Sequence, residues 1–142
     1  MSVPRIVVVE DNPAEVALLR HALDHLHEEY IFEVLSDGEA ALQFVQEHRA
    51  GSREPEPCVI LLDLYLPKHD GLAVLAAIRR QPDLAHIHVM VLTGSVNPAD
   101  RQKIYSLGAL YREKPASVAH YIELAAEILE LCKNGAPVAA GA

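Results

Sequence analysis

The sequence predicts an α/β fold: a doubly wound, five-stranded parallel sheet, ordered 2-1-3-4-5, with helices on both faces. Three observations predict it. Short β-branched runs alternate with longer segments of helical period, the pattern of successive βα units. The runs Ile6-Val7-Val8-Val9, Val59-Ile60-Leu61-Leu62 and Val89-Met90-Val91-Leu92 are apolar at every residue, as strands covered on both faces must be. Finally, each run ends in chemistry. Glu10-Asp11 follows the first, Asp63 the second and Thr93 the third, and a short segment around Leu110 leads to Lys114-Pro115. In open α/β sheets, that carboxyl edge is where ligands bind.

The first strand is expected at 6–9. Asn12-Pro13 then opens a helix, with Asn12 as N-cap and Pro13 suited to the first helical position, and Val16, Leu19, Ala22 and Leu23 recur at helical spacing. A second strand at 30–35 turns through Ser36-Asp37-Gly38 into a helix burying Ala41, Leu42 and Val45. Residues 51–57, rich in proline and charge, read as a loop. The third strand, 59–62, leads through the Asp63 loop to a helix that starts at Asp70-Gly71 and stops near Gln81-Pro82. Its buried face is Leu72, Leu75 and Ile78. A fourth strand at 89–92 precedes a helix over 98–107, and a short fifth strand at 110–112 precedes a last helix over 117–132.

At 142 residues the chain is expected to be one domain, 1–133, followed by a disordered tail, 134–142. Its net charge of −8, with no Lys/Arg stripe, argues against a nucleic-acid partner. No apolar run approaches the ~18 residues of a membrane span, and no basic-apolar leader opens the chain. Cys58 and Cys132 match no metal or redox spacing, so they read as reduced thiols in a cytoplasmic protein. His21 and His25, His25 and His27, and His86 and His88 have spacings that can hold metal, but no acidic or cysteine ligand completes any set.

The chemistry therefore lies in the ordered set Glu10-Asp11, Asp63-Leu64-Tyr65-Leu66-Pro67, Asp70-Gly71, Thr93 and Lys114-Pro115. Carboxylates meeting at one edge cannot all stay ionised cheaply at neutral pH, and a small hard cation such as Mg²⁺ (or Mn²⁺) relieves their repulsion. In these pieces, over nearly its whole length, the chain resembles the receiver domain of two-component response regulators, a flavodoxin-like fold. The resemblance implies that Asp63 accepts a phosphoryl group, and that Asp11 and Asp63 ligate the metal with Glu10 acting mainly through water. The Tyr65 backbone carbonyl would complete that set. It further implies that Thr93 and Lys114 bind the phosphoryl oxygens, that Tyr111 is the switch aromatic, and that the Lys114–Pro115 peptide is cis. Such a protein is a signalling switch and not an enzyme in the ordinary sense.

The segments Glu10-Asp11-Asn12-Pro13-Ala14-Glu15 and Asp63 to Gly71 are similar to those of the single-domain regulators paired with bacterial phytochrome kinases. The implied partner is a sensor histidine kinase, a bacteriophytochrome among the choices, or a histidine phosphotransfer protein. Chemotaxis-type and sporulation-type receivers stay open, as does a constitutive scaffold that uses the fold without phosphorylation. Aspartate-nucleophile phosphatases place two aspartates one residue apart after the first strand, unlike Glu10-Asp11-Asn12. On the last helix, Val118, Ile122, Ala125 and Leu129 form a stripe expected to cover the sheet. Leu124, Ile128 and Leu131 then extend the apolar arc, which predicts a homodimer through that face.

Overall fold

Strands β1 (Arg5–Val9), β2 (Ile31–Leu35), β3 (Pro57–Leu62), β4 (His88–Thr93) and β5 (Leu110–Glu113) form one parallel sheet in the order β2-β1-β3-β4-β5. The structure, a computed structural model, describes residues 3–49, 51, 56–66, 69–94 and 96–134. Helices α1 (Pro13–His25), α2 (Gly38–Glu47), α3 (Gly71–Arg80), α4 (Pro98–Ser106) and α5 (Val118–Asn134) alternate with the strands as expected. Pro57, read as loop, instead begins β3 and pairs with Arg5 at an irregular step in the ladder. Of the tail expected at 134–142, Asn134 belongs to α5, and 135–142 lie outside the described residues.

Strand side chains alternate between faces, and the sheet consequently separates two cores. Val7, Val9, Ile60, Leu62, Val89 and Val91 pack with α2, α3 and α4 through Ala41, Val45, Leu75, Ile78 and Ile104. Ile6, Val8, Val59, Leu61, Met90 and Leu92 pack with α1 and α5 through Leu19, Leu23, Ile128 and Leu129. Truncating a fully enclosed leucine such as Leu75 to alanine should cost ~2–5 kcal/mol. Helix starts follow the local chemistry. The side chains of Asn12, Asp37, Asp70 and Asn97 accept hydrogen bonds from the N–H groups of Ala14, Ala40, Leu72 and Asp100. Gly108, with φ +72°, turns the chain from α4 into β5, a backbone region that disfavours other residues.

Two expectations fail here. The interface expected at Leu124, Ile128 and Leu131 is not a free face: Leu124 is 6% exposed and Ile128 0%, and Leu131 packs half-buried against the same core. Tyr121 is the reason. It is buried, so the inward stripe of α5 is Tyr121, Leu124, Ala125, Ile128 and Leu129, and Val118, expected to cover the sheet, is exposed. Cys58 and Cys132, expected as separate thiols, form a disulfide with Cα atoms 5.2 Å apart. Packing of α5 over β3 brings together residues 74 positions apart, which spacing along the chain cannot show.

Candidate functional site

Backbone pairing carries on for one residue past three strands, and this aims the polar groups. The Glu10 N–H donates to the Leu35 carbonyl, the Asp63 N–H to Val9 and the Lys114 N–H to Thr93, each at 3.0 Å. These four sequence-predicted residues are therefore set at one edge of the sheet by ladder bonds, not by flexible loops. Thr93, the last residue of β4, is 1% exposed. The turn after Asp63 is equally constrained. Asp63 Oδ1 accepts from the Tyr65 N–H at 3.2 Å, and the Gly71 N–H donates to the Leu64 carbonyl at 3.0 Å. A Cβ on Gly71 would lie 2.5 Å from the Leu64 oxygen and 2.7 Å from that of Asp63, so only glycine lets α3 press so closely on this turn.

Glu10, Asp11 and Asp63 each offer one carboxylate oxygen, and the three oxygens lie within 4.8 Å of one another. Glu10 and Asp63 are buried and Asp11 is exposed, so the cluster has a closed back and an open front. An open cleft of about 490 Å³ lies at that front, lined by Asp11, Leu64, Tyr65, Leu66, Asp70 and Asp100. Burial first, then a hydrogen bond with Glu15 and the charge of Asp63, push the Glu10 carboxyl up to about 8, against a partial offset from the Asn12 N–H and Lys114. An all-oxygen trio that resists full ionisation fits a hard divalent cation. No other such group of His, Cys, Asp or Glu occurs among the described residues.

Lys114 supplies the cation that is present. Its Nζ lies 2.5 Å from Glu15 Oε2, 3.2 Å from Glu10 Oε1 and 3.4 Å from Asp63 Oδ2. Burial alone would lower its pKa, but Glu15, Glu10 and Asp63 outweigh burial and hold the ammonium above its ordinary range. Glu15 is the member of this site that the sequence reading missed. It is an acid in the first turn of α1, where such residues are common for helix-dipole reasons. The available signal was its position four residues after Asp11, which returns it to the same end of the helix.

Among the described residues, the buried Thr93 hydroxyl has no hydrogen-bond partner, and neither has the buried Tyr111 hydroxyl. Orphaned buried donors cost stability and call for an explanation. The ring of Tyr111, the expected switch aromatic, is 9% exposed, inside the α2–α3–α4 core, with the Arg101 guanidinium 4.9 Å from its centroid. The expected cis Lys114–Pro115 peptide is not found, since no peptide bond among the described residues is cis. Trans is the lower-energy form for most X–Pro bonds. The aim of Lys114 comes instead from its N–H bond to Thr93 and from its three carboxylates. Pro67, in the predicted motif, lies outside the described residues.

A doubly wound 2-1-3-4-5 sheet with an acidic trio, a buried threonine and a lysine at its carboxyl edge is the arrangement that the receiver resemblance implied. The response regulator receiver domain matches residues 6–125, and the chain belongs to that family. Response regulator Rcp1 of Synechocystis sp. is 42% identical over 102 residues, covering 72% of this chain and 69% of Rcp1. The probable methanogenesis regulatory protein FilR2 of Methanothrix harundinacea is 43% identical over 101 residues, 71% of this chain and 64% of that protein. Among solved structures, the phosphorylated cyanobacterial phytochrome response regulator RcpA superposes with a TM-score of 0.82 at 32% identity, covering 95% of this chain and 97% of RcpA. The Mn²⁺-bound form of Rcp1 gives 0.76 at 36% identity, with 88% and 91% covered. Receiver-domain response regulators are signalling proteins, and this chain carries that domain.

Proposed function

We propose that Asp63 is the phosphoryl acceptor of this receiver. The observation that carries the reading is the buried carboxylate of Asp63, clustered with Glu10 and Asp11 and facing the Lys114 ammonium, at the sheet edge that also holds a buried Thr93 hydroxyl with no partner among the described residues. An Asp63 oxygen attacks the phosphorus of the donor. The P–N bond of a phosphohistidine, or the P–O bond of a small acyl phosphate, breaks, and the leaving group keeps the electron pair. Mg²⁺ or Mn²⁺, held by Asp11, Asp63, the Tyr65 carbonyl and, through water, Glu10, would neutralise charge on the incoming group. Lys114 meets the phosphoryl oxygens from the other side, and the Thr93 hydroxyl donates to one of them. Because the Lys114 N–H is bonded to the Thr93 carbonyl, movement at Thr93 passes directly into β5 and Tyr111, altering the face offered to partners.

The partner is proposed to be a sensor histidine kinase or a histidine phosphotransfer protein. Similarity to the cyanobacterial phytochrome response regulator RcpA supports a phytochrome kinase, and the proposed place of action is the cytoplasm. No helix among the described residues is long and apolar enough to cross a membrane. Retention of Asp63, Asp11, Thr93 and Lys114 in one geometry disfavours a scaffold that ignores phosphorylation. A second copy of the chain as partner is a separate proposal. It cannot use Leu124 and Ile128, and sedimentation equilibrium of the wild type tests it. The acceptor reading is tested by acetyl phosphate with Mg²⁺, read by intact mass. A single added phosphoryl group, lost with EDTA, is expected; uptake indifferent to EDTA would contradict the reading.

A further inference from the structure

Glu15 is not one of the acidic trio, although it shares a hydrogen bond with Glu10, and it makes the shortest contact of Lys114. An ammonium has three N–H donors, and three carboxylates already face this one: Glu15 at 2.5 Å, Glu10 at 3.2 Å and Asp63 at 3.4 Å. Phosphoryl oxygens on Asp63 gain Lys114 only as one of these contacts lets go. Asp63 would itself carry the phosphoryl group, and Glu10 would turn to the metal. Glu15 is then the carboxylate left to contest the lysine. It is well placed to do so, because its carboxylate projects from the first turn of α1, which is fixed by the Asn12 cap and by the Glu15 N–H bond to the Asn12 carbonyl at 3.1 Å.

We propose that Glu15 is a positioning residue that holds Lys114 in the unphosphorylated receiver and competes with the phosphoryl group for it, shortening the life of the aspartyl phosphate. This rests on the reading of Asp63 as acceptor. When the phosphoryl group arrives, Lys114 exchanges the Glu15 carboxylate for phosphoryl oxygens. When the group leaves to water, Glu15 recaptures the ammonium. The pair thus sets how firmly the phosphorylated state is held, through a contact between α1 and the residue that follows β5, 99 positions apart in sequence.

The test compares the wild type with Glu15→Gln, which keeps the shape and removes the charge. Both are phosphorylated with acetyl phosphate and Mg²⁺, the donor is removed, and loss of the phosphoryl group is followed by intact mass. The lifetime should lengthen about threefold in Glu15→Gln, the scale of a partly exposed ion pair, with the thermal midpoint nearly unchanged. In a Lys114→Gln background the same substitution should change nothing, because Glu15 acts through the lysine. Glu15→Ser, too short to reach Lys114, gives the same reading should the amide variant fold poorly. An unchanged or shortened lifetime overturns the proposal, and so does a gain that persists without Lys114. A wild type that takes up no phosphoryl group would instead overturn the acceptor reading, so the two failures are distinguishable.

Discussion

The two ends of the sheet each hold a half-buried cation, and they treat it in opposite ways. Before β4 and β5, the Arg79 guanidinium donates to the carbonyls of Leu107 (2.7 Å), Ile87 (2.8 Å), Ala85 (3.0 Å) and Gly108 (3.1 Å). Its planar fork matches several fixed acceptors at once, tying the end of α3 to the turns that start both strands. Burial lowers its pKa from the ordinary value, and the four carbonyls satisfy it without a carboxylate among these partners. At the far edge, Lys114 faces three carboxylates, the acids repel one another, and the Thr93 hydroxyl has no partner among the described residues. Saturated polar groups hold a fold in one arrangement, while an unsatisfied set is ready for a ligand that completes it. The same half-buried charge therefore serves architecture at one end and chemistry at the other.

The contrast is broken most sharply at Asp63. Asp63→Asn removes the nucleophilic charge with little change in shape, so phosphoryl uptake, read by intact mass, should disappear altogether. The same change relieves repulsion with Glu10 and Asp11 and should not lower the thermal midpoint. At the opposite end, Arg79→Met leaves four carbonyls without their donor and should cost ~3 kcal/mol in urea unfolding. Its phosphoryl uptake should persist wherever the variant is folded. Cys132→Ala removes the Cys58 cross-link, which closes a long loop, and should cost ~2–4 kcal/mol while also sparing phosphorylation. The smallest effect belongs to Thr93→Val. Since the hydroxyl has no partner among the described residues, stability should change by less than ~1 kcal/mol, and the loss should appear instead as a weaker response of partner binding to phosphodonor.

What the sequence revealed and what it hid follow the same division. Apolar runs ending in Asp63, Thr93 and Glu10-Asp11 were legible because strand burial and the polar step after it are both local signals. Asp70-Gly71 was legible as a helix start, although the clash that a Cβ would meet at Leu64 is visible only in three dimensions. Glu15 was hidden because an acid in the first turn of a helix is ordinary, and its lysine lies 99 positions away. Arg79 was hidden likewise, since basic residues near the end of a helix read as dipole partners. On α5, Tyr121 was left out of the apolar stripe because of its hydroxyl. The buried face was therefore read as rotated, and Leu124 and Ile128 were assigned to a dimer interface. The Cys58–Cys132 pairing and the trans Lys114–Pro115 peptide depend on tertiary packing and on geometry that residue order does not encode.

Locating the phosphoryl group on the chain tests the central claim most directly. The wild type is treated with acetyl phosphate and Mg²⁺ and then with borohydride, which reduces an aspartyl phosphate to homoserine, and its peptides are sequenced by mass spectrometry. Homoserine is predicted in place of Asp63 alone, and absent when EDTA replaces Mg²⁺. Homoserine in place of Asp11 or any other aspartate, with Asp63 intact, would contradict it.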